Sequence, residues 1–137
     1  MFTHETAIRV RYAETDQMGV VYHGNFFPYL ESGRVEAMRS LGVAYADMEK
    51  MGISMPVVEV QVKYLRPARY DDLLRVRTSL PQLPADHRIV FQQEVFRDPE
   101  ELLIKATIKL YFWDTATHQK TQMPEILLQR LKPFYID

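Results

Sequence analysis

Between Val57 and Phe112 the chain alternates apolar and polar residues in run after run, and this period of two restricts its fold more than any other feature. Val58, Val60, Val62 and Tyr64 share one side of an extended chain, with Glu59, Gln61 and Lys63 on the other. Successive side chains of a strand point to opposite faces, so the spacing predicts a half-buried strand. Leu74, Val76, Thr78 and Leu80 repeat the pattern against Arg75 and Arg77. A third run spans Arg88 to Phe96. In the fourth, Leu102, Ile104, Ala106, Ile108, Leu110 and Phe112 alternate with Lys105, Thr107 and Lys109. Arg97-Asp98-Pro99-Glu100-Glu101 joins the third run to the fourth, and Pro81, Pro84 and Asp86 separate the second from the third. These are turn-forming residues. Parallel crossovers need roughly a dozen residues, so links this short predict antiparallel neighbours. Residues 5–12 offer one more strand, alternating briefly through Ala7-Ile8-Arg9-Val10.

Ahead of these runs lies one long helix candidate, from about Phe26 to Leu41. Asn25 suits its N-cap, and Gly42 follows the last turn as a stop. Pro28 falls in the first turn, where its missing N–H costs nothing. Phe27, Leu30, Met38 and Leu41 recur on one face with the small residues Gly33 and Ala37, while Glu31, Arg34, Glu36 and Arg39 take much of the remainder. At ~1.5 Å per residue such a helix spans roughly 24 Å, enough to fill the concave side of a curved sheet. Shorter helices are expected around Ala44–Lys50 and Pro124–Leu131. The pattern therefore predicts an α+β domain, one long helix against an antiparallel sheet.

With 137 residues, 47% of them hydrophobic, the chain fits one domain with a real core. Acids and bases nearly cancel at a net charge of −1. That balance argues against a nucleic-acid partner, which calls for a cationic excess. Cysteine is absent, which removes thiol nucleophiles, cysteine zinc sites and disulfides. His4, His87 and His118 lack metal-ligand spacing, so no metal is expected, and nothing implies a cofactor. The N-terminal residues lack the basic start and apolar run of a signal peptide, and no stretch reaches the ~18 apolar residues of a membrane span. The expected location is the cytoplasm.

Chemistry concentrates in residues 11–25, Arg-Tyr-Ala-Glu-Thr-Asp-Gln-Met-Gly-Val-Val-Tyr-His-Gly-Asn, which lead from the first strand into the long helix. A loop feeding a helix N-terminus gathers unpaired backbone N–H groups, and these favour developing negative charge. A thioester carbonyl is electrophilic enough to dispense with a serine or cysteine nucleophile. A carboxylate can activate water as a general base or attack directly to give an anhydride. The carbonyl oxygen then needs donors as it gains charge. Asp16 can fill the first role, and the amides near His23 and Gly24 the second. An aspartate in a polar turn ordinarily only caps or solvates, so this chemistry by itself leaves the match open.

The run Tyr12-Ala-Glu-Thr-Asp16-Gln-Met-Gly19-Val-Val-Tyr22-His23-Gly-Asn25-Phe26 closely resembles the signature of the 4-hydroxybenzoyl-CoA thioesterase family of hotdog proteins, in its bacterial Tyr-His branch. Glu31, Arg34 and Glu36 continue the likeness, as does Tyr64-Leu-Arg-Pro67-Ala-Arg-Tyr70-Asp71-Asp72. The resemblance runs from the first strand to Trp113. It implies a hotdog fold over residues 1–137, with a long central helix wrapped by a five-stranded antiparallel sheet. It also implies hydrolysis of an acyl-CoA thioester to free acid and CoA, with Asp16 as the catalytic carboxylate. The polarising amide maps to the region of His23, which would orient thioester or water, while Tyr22 would line the pocket. The substrate-binding set is then Tyr22, His23, Gly24 and Asn25. Homodimers, often paired into homotetramers, are implied, with active sites at the dimer interface.

Each residue also has a simpler reading. Glu14 reads as structural or solvent-facing, Asn25 as a helix cap, and Gly19 as a backbone position needing positive φ or close approach. Met48, Met51 and Met55 suit a core or an adaptable acyl pocket. Lys63, Arg66, Arg69 and Arg88 could meet CoA phosphates or simply face solvent. Acyl-carrier-protein thioesters are a possible substrate too. The competing functions are a hotdog hydratase or dehydratase and a non-catalytic acyl-CoA or acyl-carrier binding protein.

Overall fold

All four alternating runs become strands of one sheet. The computed structural model describes residues 1–136; Asp137, the last residue of the expected unit, lies outside them. Strand β1 covers Phe2–Arg9 and leads through the 11–25 segment into helix α1, Phe26–Ser40. Helix α2, Tyr45–Lys50, and the short β2, Ile53–Ser54, precede β3, Val57–Tyr64. Strands β4 (Leu73–Leu80), β5 (Arg88–Arg97) and β6 (Glu101–Tyr111) follow. Then come β7 (Trp113–Asp114), β8 (Gln119–Lys120), helix α3 (Glu125–Leu131) and a 3-10 turn at Lys132–Tyr135. The main sheet is antiparallel in the order β1-β4-β5-β6-β3, and α1 lies on it. This is the α+β hotdog arrangement, five strands about one long helix. A second sheet, β2-β7-β8, gave no signal in the sequence because its strands are two residues each.

The helix meets the sheet through a glycine. A Cβ on Gly33 would sit 2.6 Å from Val76 Cγ1 and 2.9 Å from Thr78 Oγ1. Only hydrogen at this position lets the helix come so near β4. The buried face of α1 is Phe26, Tyr29, Leu30, Gly33, Arg34, Ala37 and Met38. Two expectations are corrected here. Phe27, on the first turn at the edge of the buried face, is 45% exposed and outside the core, where Phe26 and Tyr29 of the same turn lie instead. Arg34, assigned to the polar face, is only 6% exposed.

Arg34 is carried by a polar network under the helix. Its Nη1 donates to Gln93 Oε1 at 3.0 Å, and Gln93 Nε2 donates to the Leu30 carbonyl at 2.8 Å and Thr78 Oγ1 at 2.9 Å. The Arg34 Nε and the Tyr45 hydroxyl are buried without hydrogen-bond partners among the described residues. A buried charge left unpaired is costly, so Gln93 serves as the acceptor that makes the arginine tolerable.

Two strand readings also change. Strand β3 is an edge, and Val57, Val58, Val60 and Tyr64 are 38–46% exposed rather than half-buried on one side. In β6 the ladder passes from Val95↔Ile104 to Phe96↔Leu102, leaving Leu103 as an extra residue. That bulge removes Leu102 from the inner stripe and puts Leu103, fully buried, into the core. The fifth strand begins earlier than the expected 5–12 and pairs along β4 from Phe2↔Leu80 to Arg9↔Leu73.

Candidate active site

The 11–25 segment folds into two tight turns joined by a short ladder. A 3-10 turn at Tyr12–Glu14 follows β1, and a second at His23–Asn25 runs directly into α1. Between them Thr15 bridges Val21, and Val20 bridges Arg69. The Gly19 N–H donates to the Asp16 carbonyl at 3.0 Å, closing a turn that requires φ of +79° at the glycine. No atom lies within 4 Å of a Cβ placed there. Positive φ, not close approach, is therefore the reason for Gly19.

Glu14 fastens this loop to the helix. Its Oε1 accepts the Arg11 N–H at 2.8 Å and the Tyr29 hydroxyl at 2.7 Å, and its Oε2 accepts the Arg11 guanidinium at 3.3 Å. Its carbonyl accepts the Tyr22 N–H at 3.0 Å and Asn25 Nδ2 at 2.8 Å. Partial burial would raise the Glu14 pKa, but the hydrogen bonds from Arg11 and Tyr29 outweigh it and hold it below its ordinary value. Tyr29 moves up, through burial first and then through its bond to Glu14. The structural reading of Glu14 is the correct one.

Asn25 stands at the N-cap position but makes no side-chain capping bond. Its amide is spent on Glu14, because the preceding 3-10 turn already supplies acceptors: Asn25 N–H donates to Tyr22 O, and Phe26 N–H to His23 O and Gly24 O. The His23 and Gly24 N–H groups have no acceptor among the described residues. They are the free donors expected where a helix begins.

Asp16 is exposed, and one oxygen is engaged locally: Oδ1 accepts the Met18 N–H at 2.9 Å. The other oxygen has no hydrogen-bond partner among the described residues. Asp16 and His23 line one groove of about 280 Å³ together with Val20, Val21, Phe26, Tyr64, Leu65, Arg66 and Pro67. The Tyr64 hydroxyl donates to the His23 carbonyl at 3.1 Å, and its ring lies edge-on to those of His23 and Phe26. Burial pushes the Tyr64 hydroxyl up. Tyr22 does not line this groove; its ring sits 4.3 Å from that of His23 and packs over Gly24, where a Cβ would come within 2.9 Å of it. Gly24 and Asn25 likewise lie outside the lining. Sequence reasoning missed Tyr64, Leu65 and Pro67 as site residues, although Tyr64-Leu-Arg-Pro67 had been part of the resemblance, and considered Arg66 only as a possible phosphate contact.

Arg66 stands at the groove and donates to Glu101 Oε2 at 3.2 Å, and Arg88 is paired with Asp86 elsewhere. Among the described residues no group of three or more His, Cys, Asp or Glu is placed to hold a metal ion. A larger depression of about 510 Å³ lies apart from this site, between residues 81–86 and the sheet at Arg88, Val90, Gln92 and Lys109. It holds none of the loop's chemistry, so the smaller groove is the candidate.

The Thioesterase-like superfamily matches residues 10–131, from the end of β1 through α3. The chain belongs to that superfamily. A Bacillus subtilis (strain 168) relative named "Putative acyl-CoA thioesterase YneP" is 39% identical over 107 residues, covering 78% of this chain and 77% of its own. The "Acyl-CoA thioesterase YbgC" of Haemophilus influenzae is 30% identical and covers 86% of each chain. Among solved structures, the DHNA-CoA thioesterase of Staphylococcus aureus superposes with a TM-score of 0.83 at 34% identity, covering 98% of this chain and 87% of that one. The superfamily's match takes in the loop with Asp16, the helix start at His23 and the Tyr64–Pro67 wall. No helix of the described residues is long and apolar enough to cross a membrane.

Proposed function

We propose that this chain, a single hotdog unit over residues 1–137, is an acyl-CoA thioester hydrolase acting in the cytoplasm, with Asp16 as its catalytic carboxylate. One observation carries the reading. Asp16, one oxygen of which has no hydrogen-bond partner among the described residues, lines the same groove as His23, and the backbone N–H groups of His23 and Gly24 likewise have no acceptor there.

The thioester carbonyl sits against the His23 and Gly24 amides, which stabilise the oxyanion as it forms, aided by the N-terminal end of α1. Asp16 either takes a proton from the attacking water or adds to the carbonyl itself. In both routes the C–S bond breaks, the thiolate of CoA leaves with a proton, and water supplies the oxygen of the free acid. The His23 ring orients thioester or water, held by Tyr22 on one side and Tyr64 on the other. Asn25 and Glu14 keep the loop at its distance from the helix. The relatives named for acyl-CoA thioesters support CoA as the carrier, with acyl-carrier-protein thioesters as the variant to test. The chain works as a homodimer or a pair of dimers, and light scattering that finds a fully active monomer removes that part.

Thiol release from a panel of acyl-CoAs, wild type against Asp16→Asn, tests the reading. The expected outcome is turnover on at least one acyl class and a loss of about a hundredfold or more in kcat in a folded variant. Equal turnover by Asp16→Asn removes Asp16 from its role.

A further inference from the structure

Tyr64 closes strand β3 forty-one residues beyond His23, and its hydroxyl meets the turn that opens α1. It shares a strand face with Val62, which packs against the core, so its ring points to the helix side of the sheet. There the ring lies edge-on to His23 and Phe26, and the hydroxyl donates to the His23 carbonyl at 3.1 Å. That carbonyl also accepts the Phe26 N–H. The strand end is itself pinned. Tyr64 pairs with Ile104, and the Leu103 carbonyl, at the bulge of β6, accepts the Leu65 N–H at 2.8 Å and the Arg66 N–H at 3.2 Å. Bulges recur beside sites where a side chain must be aimed, and this one holds the chain that follows Tyr64.

The other end of the bonded peptide unit gives the contact its meaning. The His23 carbonyl and the Gly24 N–H belong to one trans peptide, so they point in opposite directions. The Gly24 N–H has no acceptor among the described residues. A donor fixed on the carbonyl holds the peptide plane and polarises it, which makes the N–H the stronger donor. We propose that Tyr64 is a positioning residue of the thioester site, its hydroxyl orienting the His23–Gly24 peptide and strengthening the Gly24 amide toward the developing oxyanion. The proposal rests on the thioesterase reading for the oxyanion and on the Tyr64–His23 bond for its geometry.

A packing role alone needs only the ring, which phenylalanine supplies equally well. The hydroxyl is what phenylalanine lacks. Burial pushes its pKa up, so it stays protonated and able to donate at neutral pH.

Tyr64→Phe is expected to lower kcat about tenfold on an accepted acyl-CoA while KM stays within about twofold, because the bond serves the transition state and not substrate binding. The loss is smaller than for removing an oxyanion donor outright, since the amide remains. Fluorinated tyrosines at position 64 keep the ring and change only how acidic its hydroxyl is. Below the ionisation of the phenol, kcat is expected to rise with that acidity. Above it a phenolate cannot donate, and kcat falls about tenfold, to the level of Tyr64→Phe. Asp16 and His23 from the loop, and Arg66 with Glu101 behind it, are the charged or titratable groups beside the hydroxyl, and every variant keeps them. A difference between the pH profiles therefore belongs to Tyr64. Wild-type kcat in Tyr64→Phe, or a kcat indifferent to the acidity of the phenol, overturns the positioning role while thioester hydrolysis stands.

Nuclear magnetic resonance reads the peptide without turnover. The Gly24 amide nitrogen is expected to shift between wild type and Tyr64→Phe by more than that of His23, whose own peptide carries the Tyr22 carbonyl. Equal shifts at the two nitrogens, or none at Gly24, overturn the polarised peptide whatever the activity. A wild type that releases thiol from no acyl-CoA removes the thioesterase reading and the oxyanion role with it, and the Gly24 shift still judges whether Tyr64 polarises the peptide.

Discussion

The hydroxyl of Tyr29, on the first turn of α1, donates to Glu14 Oε1 at 2.7 Å across fifteen residues of chain. This bond ties the helix to the turn that lies two residues before Asp16. The same carboxylate holds the Arg11 amide and guanidinium, so one side chain fixes the exit from β1, the candidate catalytic loop and the helix start together.

Tyr29→Phe removes only the donor. Losing a hydrogen bond to a charged acceptor is expected to cost about 1–2 kcal/mol in urea unfolding. Turnover falls with it through kcat rather than KM, because the loop that carries Asp16 loosens while the groove wall from Tyr64 to Pro67 stays. An unchanged unfolding midpoint would show that the bond does not hold the loop.

The pH dependence of Glu14 has a definite sign. Its folded pKa is lowered by Arg11 and Tyr29 against the opposing effect of burial, below an unfolded value of 4.5. Its contribution is therefore complete above that unfolded value and is lost as pH falls through the folded one. Wild type and Glu14→Gln should differ in stability near neutral pH and converge in acid. A gap that persists at the acid end of the titration contradicts the ionised hub.

Gly33→Ala tests the closest helix–sheet approach. The added methyl would meet Val76 and Thr78 at distances that force one element to move. A loss of about 1–3 kcal/mol is expected, as for overpacking in a filled core. A neutral result by thermal or urea unfolding means that α1 can lift from β4 freely.

Gln93→Leu deprives the buried Arg34 of its acceptor and is expected to cost about 2–4 kcal/mol. Adding Arg34→Met removes the stranded charge, so the double variant should be more stable than Gln93→Leu alone. If the double is the less stable of the two, Arg34 is held by something other than Gln93.

Much of this protein was legible in local pattern. Periodicity and its punctuation placed α1 within a residue of Phe26–Ser40 and marked all five strands of the main sheet, β1 three residues late, because helix ends and strand alternation depend on near neighbours in the chain. The residues of the 11–25 segment marked Asp16 and His23, and folding does bring both to one groove. The resemblance named the fold, and the superfamily match agrees with it.

What the sequence left open was decided at long range. Spacing put Arg34 on the polar face of α1; it is buried because Gln93, fifty-nine residues away, offers an acceptor under the helix. Leu102 looked like core until the bulge at Leu103 moved it out of register, and a bulge depends on the partner strand. The alternation of β3 described a strand with one face to bury, yet an edge strand has a neighbour on one side only, and its valines stay open. The groove wall of Tyr64, Leu65, Arg66 and Pro67 meets Asp16 only once β3 has paired with β6. Local sequence sets which way each side chain of an element points, whereas burial and the makeup of a site depend on which elements come to lie beside it.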